Sequence, residues 1–235
     1  MSARIFPRTS LILRPSAVCL ALLLLGVCCQ LLAHAQAKLV PTVGFTFDFP
    51  GSEPEHFAIS VGSDGHSVYS SNGKLTAESE GGEPFHLEFQ MSEPTRAQIF
   101  DAAKSAHNFA GRIDSGKKVA FTGTKTLSYK DGQGNTQATY NYSSVPAVQQ
   151  LTALFQSLSA TLEFGRRMEY YHRYQKLALD DELKKMEGMA QNNNLAELPA
   201  VAPILRAIIE DPSVMTVVRA RASRLLDRAG VASGP

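Results

Sequence analysis

Apolar and polar residues alternate along much of the first half of the chain. Val43, Phe45, Phe47 and Phe49 recur at every second position, as do Phe57, Ile59 and Val61, and then Phe85, Leu87, Phe89 and Met91. A period of two sends successive side chains to opposite faces of an extended strand, so each run offers one oily face to a core. Asp64-Gly65, between HFAISVGS and HSVYSS, predicts a two-residue hairpin turn in which glycine supplies positive φ; that register sets Val61 opposite Val68. Asp131-Gly132-Gln133-Gly134-Asn135 predicts a second hairpin, between TKTLSYK and TQATYNY.

The period changes twice to a helical one, each time after a strand run. Ser92-Glu93-Pro94 precedes Ile99, Ala102, Ala103 and Ala106; Ser144-Val145-Pro146 precedes Leu151, Leu154, Phe155 and Leu158. A serine N-cap and a first-turn proline are expected at both starts, and superimposing the two prolines aligns all four apolar positions. We read a strand-strand-helix unit used twice, with an antiparallel sheet and helices packed on one face.

Beyond Leu158 the strand period is gone. Ala160 to Met189 predicts one helix of about 45 Å at ~1.5 Å per residue, too long for a small domain unless it bends, breaks near Gly165 or projects. The polar run from Gln191 to Asn194 stops it, and two amphipathic helices follow. One carries Leu198, Val201, Leu205, Ile208 and Ile209; the other carries Val214, Val218, Ala222, Leu225 and Leu226 and ends at Gly230. The expected architecture is an α+β domain over 36–159, a helical extension over 160–229 and a disordered tail over 230–235.

The start of the chain reads differently. Arg4, Arg8 and Arg14 precede an uncharged stretch around Val18 to Leu25, closing with Ala33-His34-Ala35. That is the form of an export signal over residues 1–35 cleaved after Ala35, with Ala37 an alternative. The apolar run is too short for a stable membrane span, and neither Cys28 nor Cys29 follows a small residue as lipid attachment requires. The expected location is the periplasm or the outside of the cell.

Cleavage changes the composition. All three cysteines, Cys19, Cys28 and Cys29, leave with the leader, so the mature chain has neither disulfides nor thiolate chemistry and depends on packing. About 200 residues remain, enough for a sizeable core. The balance of 23 basic against 22 acidic residues becomes 20 against 22, which gives no support to nonspecific nucleic-acid binding.

Two resemblances concern architecture and partners. The strand order, the helix after Ser92, the Asp131 hairpin and the helix after Pro146 resemble an uncharacterised family of exported bacterial domains, over roughly Phe45 to Leu158, which implies no activity. Asp211-Pro212, Val218-Arg219-Ala220-Arg221-Ala222 and Leu225-Leu226 resemble a single HEAT-type repeat, which implies protein contacts. One unit makes no solenoid, so its apolar face is expected to dock on the long helix or the sheet.

Candidate chemistry is sparse. His56, His66 and His86 invite a metal site, but strand parity puts His56 and His86 on the polar face and His66 at the rim of the apolar one. Asp131, Gln133 and Asn135 imitate the start of a calcium loop, yet Thr136 and Tyr142 stand where it needs glycine and glutamate; a hairpin turn explains them. There is no nucleophile elbow, zinc-protease motif or phosphate loop, and no cofactor is implied. Glu78, Glu80, Glu83 and Glu88 read as a solvated strand face and loop. Asn141-Tyr142-Ser143 fits a glycosylation pattern that matters only in a eukaryotic secretory pathway.

Two surfaces remain. Phe164, Met168 and Tyr171 form one stripe, expected to pack on the sheet, while Tyr170 and Tyr174 form a neighbouring half-exposed flank alongside Arg166, Arg167, His172 and Arg173. Aromatic and arginine mixtures typify interface hot spots, so Arg167, Tyr170, Arg173 and Tyr174 are the candidate interaction surface. Arg221, Arg224 and Arg228 line a second helix face, placed favourably for the helix dipole. The functional expectation is a non-catalytic interaction or accessory protein whose partner is another envelope or secreted protein. The alternatives are an enzyme with dispersed carboxylates or histidines, and a small-ligand module with a cavity lined by Phe45, Phe47, Phe85 and Phe89.

Overall fold

The computed structural model describes residues 39–76 and 78–230; the leader with Ala35 and the last five residues lie outside the described residues. Six strands form one antiparallel sheet: β1 (Thr42–Asp48), β2 (His56–Gly62), β3 (His66–Ser71), β4 (Phe85–Gln90), β5 (Thr124–Lys130) and β6 (Asn135–Tyr140). Their spatial order is β4-β3-β2-β1-β5-β6. Helix α1 (Glu93–Ser105) follows β4, and α2 (Pro146–Tyr174) follows β6. Three shorter helices, α3 (Leu179–Gln191), α4 (Ala202–Glu210) and α5 (Thr216–Arg228), complete an α+β fold.

The alternating residues point inward as their period requires. Val43, Phe45 and Phe47 of β1 pair with Val61, Ile59 and Phe57 of β2, and all six are buried. Phe155 of α2 stacks on Phe45 with ring centres 5.0 Å apart, and Leu151, Leu158 and Leu162 join the same core. Burying one such side chain stabilises the fold by about 1.5–3 kcal/mol.

The first hairpin differs from its expected register. Val61 pairs with Ser67, not Val68, because Ser63, Asp64 and Gly65 make a three-residue loop with Gly65 at φ 91°. The one-residue shift turns Ser67, Tyr69 and Ser71 inward, with Tyr69 opposite Ile59. His66 therefore lies on the outer face. The second hairpin forms as expected, the Asp131 carboxylate accepting from the Gln133 and Gly134 amides at 2.8 and 2.9 Å.

At β5 an inward position holds a lysine. Lys125 sits opposite Phe47 and is buried. Its ammonium donates to the carbonyls of Thr122, Gly123 and Asn141 at 2.9–3.1 Å. Burial lowers its pKa. Those carbonyls are satisfied by a cation because the loop leaving them has no strand partner there.

The helix starts are not capped as expected. Ser92 is the N-cap of α1, but its hydroxyl makes no bond to the helix backbone. It donates instead to Glu197 at 2.7 Å, and that carboxylate also accepts the Ser92 amide at 2.8 Å. A carboxylate from the segment before α4 thus caps α1, where the helix dipole favours negative charge. The N-cap of α2 is Val145, with Pro146 as the first helical residue.

Helix α2 passes unbroken through Gly165, and the interruption falls at Gln175–Ala178 instead. Gly165 is a packing residue: a Cβ there would lie 2.6 Å from Val201. Two cores share this one helix. Residues to Leu162 pack with the sheet and α1, whereas Phe164 and Met168 pack with α3, α4 and α5. The stripe from Phe164 therefore buries itself among helices, not on the sheet. The apolar face of α4 and α5 docks on α2 and α3.

Candidate functional site

Where α2 crosses from one core to the other, its inward residues turn polar. Ser159, Glu163 and Arg166 follow Phe155 at helical spacing on the face that meets the ends of β2 and β3. The Tyr69 hydroxyl lies 2.9 Å from Ser159 Oγ and donates to Glu163 Oε1 at 2.8 Å; the Ser71 hydroxyl donates to the same oxygen. Burial first, then the Glu163 charge, pushes the Tyr69 phenol well above its ordinary pKa.

Arg166 completes the buried cluster. Its guanidinium donates to the carbonyls of Gly73 at 3.0 Å and Glu83 at 2.9 Å, and lies 5.0 Å from the centre of the Phe85 ring. Glu163 Oε2 is 3.7 Å from it and has no hydrogen-bond partner. Both ends of the loop between β3 and β4 are thereby tied to α2. Gly73 permits the approach, since a Cβ there would come within 2.5 Å of Glu163 Oε2.

Beside this cluster lies a cleft of about 580 Å³. Phe47, Pro54, Phe57, Ala160, Phe164 and Met189 provide its apolar lining. Lys74 and Thr76 contribute from the loop after β3, and Arg167 and Tyr171 from α2. Glu182 and Lys185 contribute from α3. Arg167 donates to Glu182 at 2.6 Å and lies 4.8 Å from the Phe164 ring centre. Burial raises the Tyr171 pKa.

Next to the cleft, the far end of α2 carries an exposed aromatic group. Tyr170 contacts Tyr171 and Tyr174, with ring centres 5.7 and 5.2 Å apart, and the Arg173 guanidinium lies 5.4 Å from the Tyr174 ring centre. Tyr174 is 63% exposed and Leu177 80%. Of the four residues predicted for an interaction surface, Tyr170, Arg173 and Tyr174 stand together. Arg167 faces the cleft and is held by Glu182.

Other predicted candidates are dispersed. His56 bonds Asp48 at 2.6 Å on the outer sheet face. His86 is on that face opposite Ser70, and His66 is opposite Gln90, four residues and so about 13 Å along the strand. Glu78, Glu80, Glu83 and Glu88 are exposed. Of the four phenylalanines expected at a cavity, Phe47 lines the cleft, whereas Phe45, Phe85 and Phe89 do not. Arg221 and Arg224 bind Asp180 and Glu187 of α3. The Asn141 side chain accepts from the Thr122 amide and donates to the Ala120 carbonyl, at 2.9 and 3.0 Å.

Glu163 and the cleft lysines had no part in the expected site, and Arg166, expected on the half-exposed flank, is buried beside Glu163. A signal existed for the pair: charged residues at stripe positions between Leu158 and Met168 break an apolar run and demand partners. Lys74 and Lys185 carried none, since solvated lysines look alike until a cleft is built around them. Among the described residues no helix is long and apolar enough to cross a membrane. No family model matches this chain, and no curated protein is significantly similar to it in sequence.

Proposed function

We propose that this chain is an exported, non-catalytic interaction protein of the cell envelope or exterior that holds a protein partner through the far end of α2. The leader ending at Ala35 motivates the location. The observation that carries the rest is the group formed by exposed Arg173, Tyr174 and Leu177 with half-buried Tyr170. Large aromatic and aliphatic side chains left in water beside a stacked arginine are the composition of an interface centre.

The partner engages rings already held against one another, so little side-chain entropy is lost on binding. Capture from envelope and secreted fractions tests the reading. The chain is expected to retain a specific partner, and a Tyr170→Ala/Tyr174→Ala variant to lose it while keeping its unfolding midpoint. Equal capture by both proteins contradicts the proposal. A second reading, a small-ligand module, is favoured by the cleft.

A further inference from the structure

The cleft has an uneven distribution of engaged and unengaged charge. Each carboxylate that lines it already has a donor. Glu53 accepts the Lys74 amide, Glu163 accepts Tyr69 and Ser71, and Glu182 accepts Arg167. Lys74 and Lys185 line the same walls, and among the described residues no carboxylate lies within ion-pairing distance of either ammonium. Apart from Glu163 Oε2, which is buried 3.7 Å from the Arg166 guanidinium, the unengaged charge is cationic, while the floor is apolar.

We infer that the cleft binds an amphiphilic monocarboxylate, an apolar chain ending in one anionic group. The chain lies on Phe47, Phe57 and Phe164, and the carboxylate is held by Lys74 and Lys185. The volume, about 580 Å³, falls within the roughly 300–1,000 Å³ of small-molecule sites. Burying the chain supplies affinity through apolar area, and the charge-assisted bonds set its direction. A cationic chain would place its head against the two lysines and a neutral one would leave them unpaired. This site adjoins the surface of Tyr170, Arg173, Tyr174 and Leu177 through Tyr171, but it rests on other residues, and either assignment stands if the other fails.

The test is calorimetric titration of the full chain with decanoate, decyltrimethylammonium and decanol. Decanoate is expected to bind about tenfold or more tightly than the other two. Lys74→Met/Lys185→Met is expected to weaken decanoate about tenfold, and Ala160→Trp, which fills the cleft, to abolish it. Unchanged unfolding midpoints show that both variants fold. Failure of decanoate to bind overturns the inference, as does equal affinity for the cationic chain or indifference to the lysine substitutions. Binding of the neutral or cationic chain that Ala160→Trp removes would keep a ligand site but reject its anionic character.

Discussion

Glu163 is 2% exposed and accepts two hydroxyl hydrogen bonds, with Arg166 buried beside it. A buried charge of this kind is weak evidence of added stability, but removing one member of a pair strands the other. Glu163→Ala leaves Arg166 without its carboxylate, removes the acceptor of the Ser71 hydroxyl and leaves the Tyr69 hydroxyl only Ser159. It is expected to lower the unfolding free energy by about 3–5 kcal/mol in urea titrations. Glu163→Gln keeps an acceptor for both hydroxyls and is expected to cost clearly less. An alanine variant within about 0.5 kcal/mol of the native chain would mean the cluster contributes nothing.

The helical elements are joined by charges whose protonation can be followed. Asp211, in the turn between α4 and α5, binds Lys176, just past the end of α2, and His172 of α2 at 2.5 and 2.9 Å. Lys176 first, then Ser213, hold its carboxyl well below the ordinary value near 3.8. Burial pulls Glu187 upward, but Arg224 and Arg221 outweigh it and hold it low. A depressed carboxyl contributes stability above its unfolded pKa and loses it as pH falls through the folded one. Unfolding free energy should therefore decline below about pH 4, and Asp211→Asn should flatten part of that decline; identical slopes in the two proteins would refute the assignment. None of these joints was legible beforehand, because an ion pair depends on which helices meet. The strands were legible, since Val43, Phe45, Phe47, Phe57, Ile59 and Val61 carry their period in the chain itself. The register at Asp64 was not. Two- and three-residue loops share the same Asp-Gly signal, and only the inward placement of Tyr69 decides between them. Gly165 misled in a similar way: glycine within a helix serves equally as a break or as a point of close contact, here with Val201.

Across the whole molecule, one 29-residue helix serves two cores. The cleft lies beside the polar crossing between them, and the aromatic group lies beyond it on the same helix. The aromatic surface could be named from sequence because Tyr170, Arg173 and Tyr174 lie within a single helix turn and a half. The cleft could not, because its walls come from four segments far apart in the chain. On the proposed function, a partner meets the end of α2 and not the sheet. A photo-crosslinking amino acid placed at position 174, and separately at position 86 on the outer sheet face, distinguishes the two in cells that express the protein. We expect one discrete adduct from position 174, lost when Arg173→Glu is added, and none from position 86. Equal adducts from both positions, or none from position 174, would rule out a partner at the end of α2.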